Sequence, residues 1–268
     1  MSLRINTNVE AFSAHRSLMQ SSEALTKSME RLSTGSRINR AADDAAGLGI
    51  SEKMRGQIRG LAQAQRNIQD GVSMVQTAEG NLDEVHAMLQ RVRELAVQYK
   101  NGSLSQAGRD AIQTEVNQLA SEIERIGTTA EFNGVKLLNA TGNVTFQIGA
   151  NDGESVTVAT ISLGSSVGST FFSLSATGAS DISEIDAAIT SVSSTRATFG
   201  AVQNRLEHAL QATSAYQENL VAAESRIRDV DMAQEMVNLT KHQILQQAGQ
   251  AMLAQANQAP QSVLQLLR

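Results

Sequence analysis

The sequence predicts a mainly α protein: long coiled-coil-like helices forming a rod, with a small β-hairpin insert. Three observations carry this. Apolar residues recur at intervals of seven along most of the 268-residue chain, the spacing that keeps one stripe of a helix facing a partner. There is a single Pro, where average usage would give more than about ten, so helices can run long without interruption. Alternation of apolar and polar residues, the strand signature, is confined to one Gly-rich stretch.

The first helix carries Ala11, Leu18, Leu25 and Leu32, each seven apart, with Met29 beside them. Ser33-Thr34-Gly35-Ser36 breaks it, since Gly and hydroxyl side chains favour caps and turns. Arg37 to Gly49 reads as a connector. The second helix is the strongest: Leu61, Ile68, Val75, Leu82, Leu89 and Ala96 form one line, and Val85, Val92 and Tyr99 a second. From about Ile50 to Tyr99 it would span roughly 75 Å at 1.5 Å per residue. Asn101-Gly102-Ser103 ends it. A third helix bears Ile112, Val116, Leu119, Ile123 and Ile126, with Gly127 placed as its C-cap.

Between Gly127 and Gly178 lie eight of the 19 Gly and four of the six Phe, and no Lys or Arg occurs from Leu137 to Thr195. Val144, Phe146 and Ile148 alternate with polar residues, as do Val156 and Val158, around Asn151-Asp152-Gly153. That is a hairpin with a turn-forming tip. The Ser/Gly-rich stretch that follows reads as a surface loop or a poor strand; its Ser/Thr cluster, Ser162 to Ser183, is a candidate for O-linked modification. Helix resumes with Asp181 as N-cap and Glu184 three residues on. Ile185, Val192, Phe199, Leu206, Thr213, Leu220 and Ile227 form one line of one very long helix; Val202, Ala209, Tyr216, Ala223 and Val230 form a second, which Val237, Ile244 and Ala251 continue. Pro260 is expected to stop it near Ala259.

Composition excludes several classes of function. The chain has no Cys, hence no disulfide scaffold, thiolate metal site or Cys nucleophile. A net charge of −5 and no basic stripe give no nucleic-acid surface. No apolar run approaches the ~20 residues that span a bilayer, and the N-terminus lacks the apolar core of a cleaved signal peptide. The four His are scattered. Asp83 and His86, at i and i+3, lack the further ligands a metal needs, and Asp229 and Asp231 diverge on a helix. No cofactor, metal site or catalytic group is expected. Arg91 and Glu94 are spaced to pair with one another. The two end segments can pair, but two amphipathic helices bury little surface, so further copies of the same chain are expected to complete them.

The motifs SLRINTNVEAF and LSTGSRINRAADDAAGLGIS near one end, and ILQQAGQAMLAQANQAPQSVLQLLR at the other, resemble bacterial flagellin. So do LQRVRELAVQ at 89–98, EFNGVKLL at 131–138 and FGAVQNRLEHAL at 199–210. The resemblance is to a minimal flagellin without large outer domains. It implies a terminal inner coiled-coil domain of residues 1–42 with 229–268. It implies a rod domain of 43–228, with helices at about 50–100, 105–127 and 181–228 and the hairpin insert at about 140–175. It further implies a subunit of the flagellar filament for swimming, extracellular and exported without a cleaved signal peptide. The implied partners are further copies of itself, a flagellin export chaperone, and the flagellar export apparatus and cap. Polymerisation contacts are expected at Leu18, Leu25, Leu32, Val237, Ile244, Val263, Leu264 and Leu267. Flagellins sensed by the vertebrate Toll-like receptor carry QRVRELAVQ; by motif match Gln90, Arg91 and Leu95 would contact that receptor, with Glu115 and Leu210 in support. The alternatives are a hook–filament junction protein of the same family and a helical signalling rod.

Overall fold

The computed structural model describes residues 8–164, 174 and 181–266. It is mainly α, as expected: helices α1 (Val9–Thr34), α2 (Ala45–Tyr99), α3 (Gln106–Thr129), α4 (Asp181–Arg228) and α5 (Met232–Leu266). Four strands, β1 (Glu131–Phe132), β2 (Val135–Lys136), β3 (Asn139–Gln147) and β4 (Ser155–Ser162), form two antiparallel pairs, β1–β2 and β3–β4. The chain divides into two compact units, Met1–Gly56 with Leu220–Arg268, and Gln57–Asn219.

The second unit holds the hydrophobic core. Ile68, Val75, Leu82, Leu89, Val92 and Ala96 of α2 are buried. They pack in one cluster with Ile112, Val116, Ile123 and Ile126 of α3 and Ile185, Val192, Phe199 and Leu206 of α4. These are the heptad lines read from the sequence. Burying each Leu or Ile of this kind contributes about 1.5–3 kcal/mol before entropy is counted. Ion pairs stitch the solvent side of α2 to α4: Arg93 to Asp186 at 2.6 Å and Arg196 to Asp83 at 2.9 Å. The hairpin lies on the same helices. Val156 and Val158 of β4 turn inward, Asn67 Nδ2 donates to the Gln147 carbonyl at 3.1 Å, and Thr213 Oγ1 donates to the Ile148 carbonyl at 3.3 Å. Gly71 admits the Phe146 ring; a Cβ there would stand 3.3 Å from it.

Several boundaries differ from the sequence reading. The connector is shorter: α2 starts at Ala45 because Asp44 accepts the Gly47 amide at 2.8 Å and caps the helix. Gly127 does not end α3. The helix continues to Thr129, with Ala130 as its cap; Gly127 is buried and lets Leu163 approach, at 3.4 Å from where a Cβ would be. Asp181 is the first helical residue of α4 rather than its cap, and Glu184 shares its first turn. The last helix is two helices, interrupted at Asp229–Asp231, where the Asp231 carboxylate accepts the Ala233 and Gln234 amides at 3.0 and 3.1 Å and starts α5 afresh. Pro260 does not stop α5, which runs to Leu266. A proline's fixed φ lies in the helical range, so a helix can resume beyond it as it does when proline occupies a first turn. The small β1–β2 hairpin went unread, although its Asn133-Gly134 turn is the strongest short-range hairpin signal. Both residues have positive φ, 49° and 79°, as a type I′ turn requires.

Candidate assembly and recognition surfaces

In the first unit α1 and α5 form an antiparallel pair joined by very distant contacts. Asn8 caps α1 by accepting the Ala11 amide at 3.0 Å, and its Nδ2 donates to the Ala256 carbonyl at 2.7 Å. The seam is made of small and aliphatic residues: Leu18 lies against Gly249, where a Cβ would meet it at 3.3 Å. At the other end Arg31 faces Glu235 at 3.8 Å. A groove of about 570 Å³ opens along the pair, lined by Ser17, Ser21, Leu245, Ala248, Gly249 and Met252 among others.

The pair ends in a joint. Gly35, with φ of 71°, terminates α1. The chain beyond it then pairs with the gap between α4 and α5. Ser36 bridges Asp229, the Arg37 amide donates to the Arg228 carbonyl at 2.6 Å, and the Val230 amide donates to the Gly35 carbonyl at 3.0 Å. Arg37 Nη2 reaches the Ile227 carbonyl at 2.6 Å. Ile38 is buried beneath this crossing. Asp43 accepts the Asn39 and Arg40 amides at 3.2 and 3.1 Å and pairs with Lys27 at 2.6 Å. Lys27 first, then the Arg40 amide, lowers its carboxyl pKa to about 2.

The seam leaves much of the apolar surface outside. Phe12 is 67% exposed, Val237 60% and Ile244 65%. Val9, Met19, Met29, Met232, Met236, Leu245 and Met252 are also exposed. Of the residues expected to carry polymerisation, Leu18, Leu25 and Leu32 are half-buried, Leu18 against Gly249 in the seam, whereas Val237 and Ile244 face solvent. The side chains of Val263 and Leu264, and all of Leu267, lie outside the described residues, as does most of the Ser/Thr cluster with Phe171-Phe172. A run of apolar side chains this exposed marks an interaction surface. Sequence spacing alone could not separate the side of α5 that meets α1 from the side left exposed, because apolar residues such as Val237, Ile244, Leu245 and Met252 are spread around the helix.

The second surface centres on Arg91. Its Nε donates to Glu115 Oε1 at 3.0 Å and its Nη1 to Glu94 Oε2 at 3.1 Å. The Glu115 carboxylate foremost, then Glu94, raises the Arg91 pKa above its ordinary value. The pairing with Glu94 follows from spacing; the pairing with Glu115, from the neighbouring helix, does not. Gln90 is exposed beside them and shares a 2.9 Å hydrogen bond with His86 Nε2. Leu95 is buried in the core under this patch, and Leu210 is partly buried against the same core. Asp83 is engaged by Arg196. Among the described residues no group of three or more His, Asp or Glu is placed to hold a metal ion, and no helix is long and apolar enough to cross a membrane.

The family model described as the bacterial flagellin N-terminal helical region matches residues 5–143, and that of the C-terminal helical region matches 182–267. The chain belongs to the bacterial flagellin family. Flagellin of Bacillus subtilis is 50% identical over 304 aligned positions, covering 99% of this chain and 100% of that one. Flagellin of Halalkalibacterium halodurans is 53% identical over 272 positions, covering 98% and 99%. The crystal structure of Bacillus cereus flagellin superposes with a TM-score of 0.52 at 32% identity, covering 59% of this chain and 94% of that one. The two family regions are α1 to β3 and α4 with α5. As in these near-full-length flagellin relatives, no large outer domain is inserted between β4 and α4.

Proposed function

We propose that this flagellin is a structural subunit that polymerises into the extracellular flagellar filament and serves swimming. The observation that carries the reading is the outer face of the α1–α5 pair. Phe12, Val237 and Ile244 are left in water although α1 and α5 already pair. At about 25 cal/mol per Å² of apolar surface, burial against further copies supplies the driving force. A head-to-tail contact that does not close gives an open helical polymer. Leu18, Leu25 and Leu32 hold the pair together, Val237 and Ile244 meet the neighbour, and Val263, Leu264 and Leu267 join the same polymerisation contacts. Before export, a chaperone would shield that C-terminal segment, and the export apparatus and cap would deliver subunits to the growing tip. Removing residues from Pro260 onward is expected to leave a soluble monomer. Long filaments from that truncation, seen by electron microscopy, would overturn the reading.

The Arg91 patch supports a second role, as the surface met by a vertebrate Toll-like receptor. Gln90, Arg91 and Glu115 offer exposed polar groups in a fixed arrangement, and Leu95 and Leu210 set the helices beneath them. A junction protein of the same family would share the helices, and its abundance in sheared filaments would separate the two. The β3–β4 hairpin speaks against a helical signalling rod, which has no place for such an insert.

A further inference from the structure

Methionine is among the residues most often fully buried, and in the second unit Met74 is 3% exposed and Met88 is partly buried against the core. In α1 and α5 it does the opposite. Met19, Met29, Met232, Met236 and Met252 are between 49% and 64% exposed, five of the eight methionines among the described residues. Met232 and Met236 stand one turn apart on α5, level with the Arg31–Glu235 pair. Met252 lines the groove beside Ser17 and Ser21. A thioether is soft and adaptable, which suits a face that must fit a neighbour. It is also open to oxidants where it meets water.

We propose that these five methionines are the oxidant-sensitive groups of the α1–α5 pair, and that their conversion to sulfoxides blocks assembly of the free subunit. The inference rests on the assembly reading above. Each thioether gives two electrons to a peroxide, the sulfur gains the oxygen, and the peroxide leaves as water. The product is a polar, chiral side chain on a face that works by excluding water. No thiol or indole competes for mild oxidants, because the chain has no Cys and no Trp. The change is reversible by a methionine sulfoxide reductase drawing on a dithiol.

The test treats the full-length monomer with hydrogen peroxide, maps sulfoxides by peptide mass spectrometry, and follows polymerisation by sedimentation. Sulfoxides are expected first at Met19, Met29, Met232, Met236 and Met252 and last at Met74. The polymerisation rate is expected to fall at least about tenfold and to recover after reductase treatment. In a variant with all five changed to Leu, a volume-conserving swap at exposed sites, the polymerisation rate after peroxide is expected to stay within about twofold of that same variant's own untreated rate, whatever that rate is. If Met74 oxidises as fast as the five, or if the fully oxidised monomer polymerises as fast as the untreated one, the inference falls while the assembly reading stands. If the Leu variant loses assembly under peroxide as the parent does, the five methionines are not the sensitive groups. If the untreated chain does not polymerise at all, the assembly reading fails first and takes the inference with it.

Discussion

At Asp43, an ammonium and two backbone amides converge on one carboxylate. Its pKa of about 2 lies below the ordinary 3.8, so the folded state holds this proton less tightly than the unfolded chain does. The stabilisation is therefore complete above pH 3.8 and is lost as the pH falls towards 2. Asp43→Asn is expected to be less stable than the parent at neutral pH and to show a flatter acid limb between about pH 4 and 2. Circular dichroism melts of both proteins across that range check it, and parallel limbs would count against the assignment. Arg91 is a different kind of residue. It is exposed, its ion pairs with Glu115 and Glu94 are screened by water, and exposed pairs add little stability. Arg91→Ala is expected to leave the melting temperature essentially unchanged while sharply weakening activation of a receptor reporter cell line. An undiminished signal would remove Arg91 from the proposed receptor surface.

For the helices, the sequence was most informative where apolar residues had a single partner face. The two lines of α2 and the line of α4 through Leu206 could be read as core from spacing alone, because seven-residue repetition and burial coincide there. Legibility failed where periodicity persisted across a break. Val230, Val237 and Ile244 keep the seven-residue count through Asp229–Asp231, but the count says nothing about hydrogen bonds arriving from Gly35 and Arg37. It failed again at Gly127, where a residue suited to a turn serves close packing. At the candidate surfaces, spacing found the Arg91–Glu94 pair but missed Glu115, 24 positions away. A partner on a neighbouring helix leaves no trace in local spacing. Asp231 gives a test at this scale. Asp231→Ala removes the acceptor for two amides of α5 and is expected to cost about 0.5–2 kcal/mol, read by chemical denaturation of the monomer. No change would mean that the joint with Ser36, rather than the cap, holds the start of α5.

Across the whole molecule, the two units differ in what they bury. The second unit has a continuous aliphatic core, whereas Ser28 is the buried residue of α1. In dilute monomer, amides of α1 and α5 are expected to exchange with solvent far faster than those of α2 between Ile68 and Ala96, because local opening exposes little apolar surface. Equal protection by hydrogen-exchange mass spectrometry would refute this. The bond from Asn8 to Ala256 joins residues 248 positions apart, and it also bears on the order of events. A contact of such separation carries nearly the largest loop-closure cost the chain can impose, and none of it can form until the last residues have been synthesised. The helices of the second unit pair over shorter distances and can condense earlier, shortening the effective loop that remains. α1 is thus made well before α5, the helix it pairs with. Throughout synthesis it remains an unpaired amphipathic segment, available to whatever meets it before its own C-terminus does.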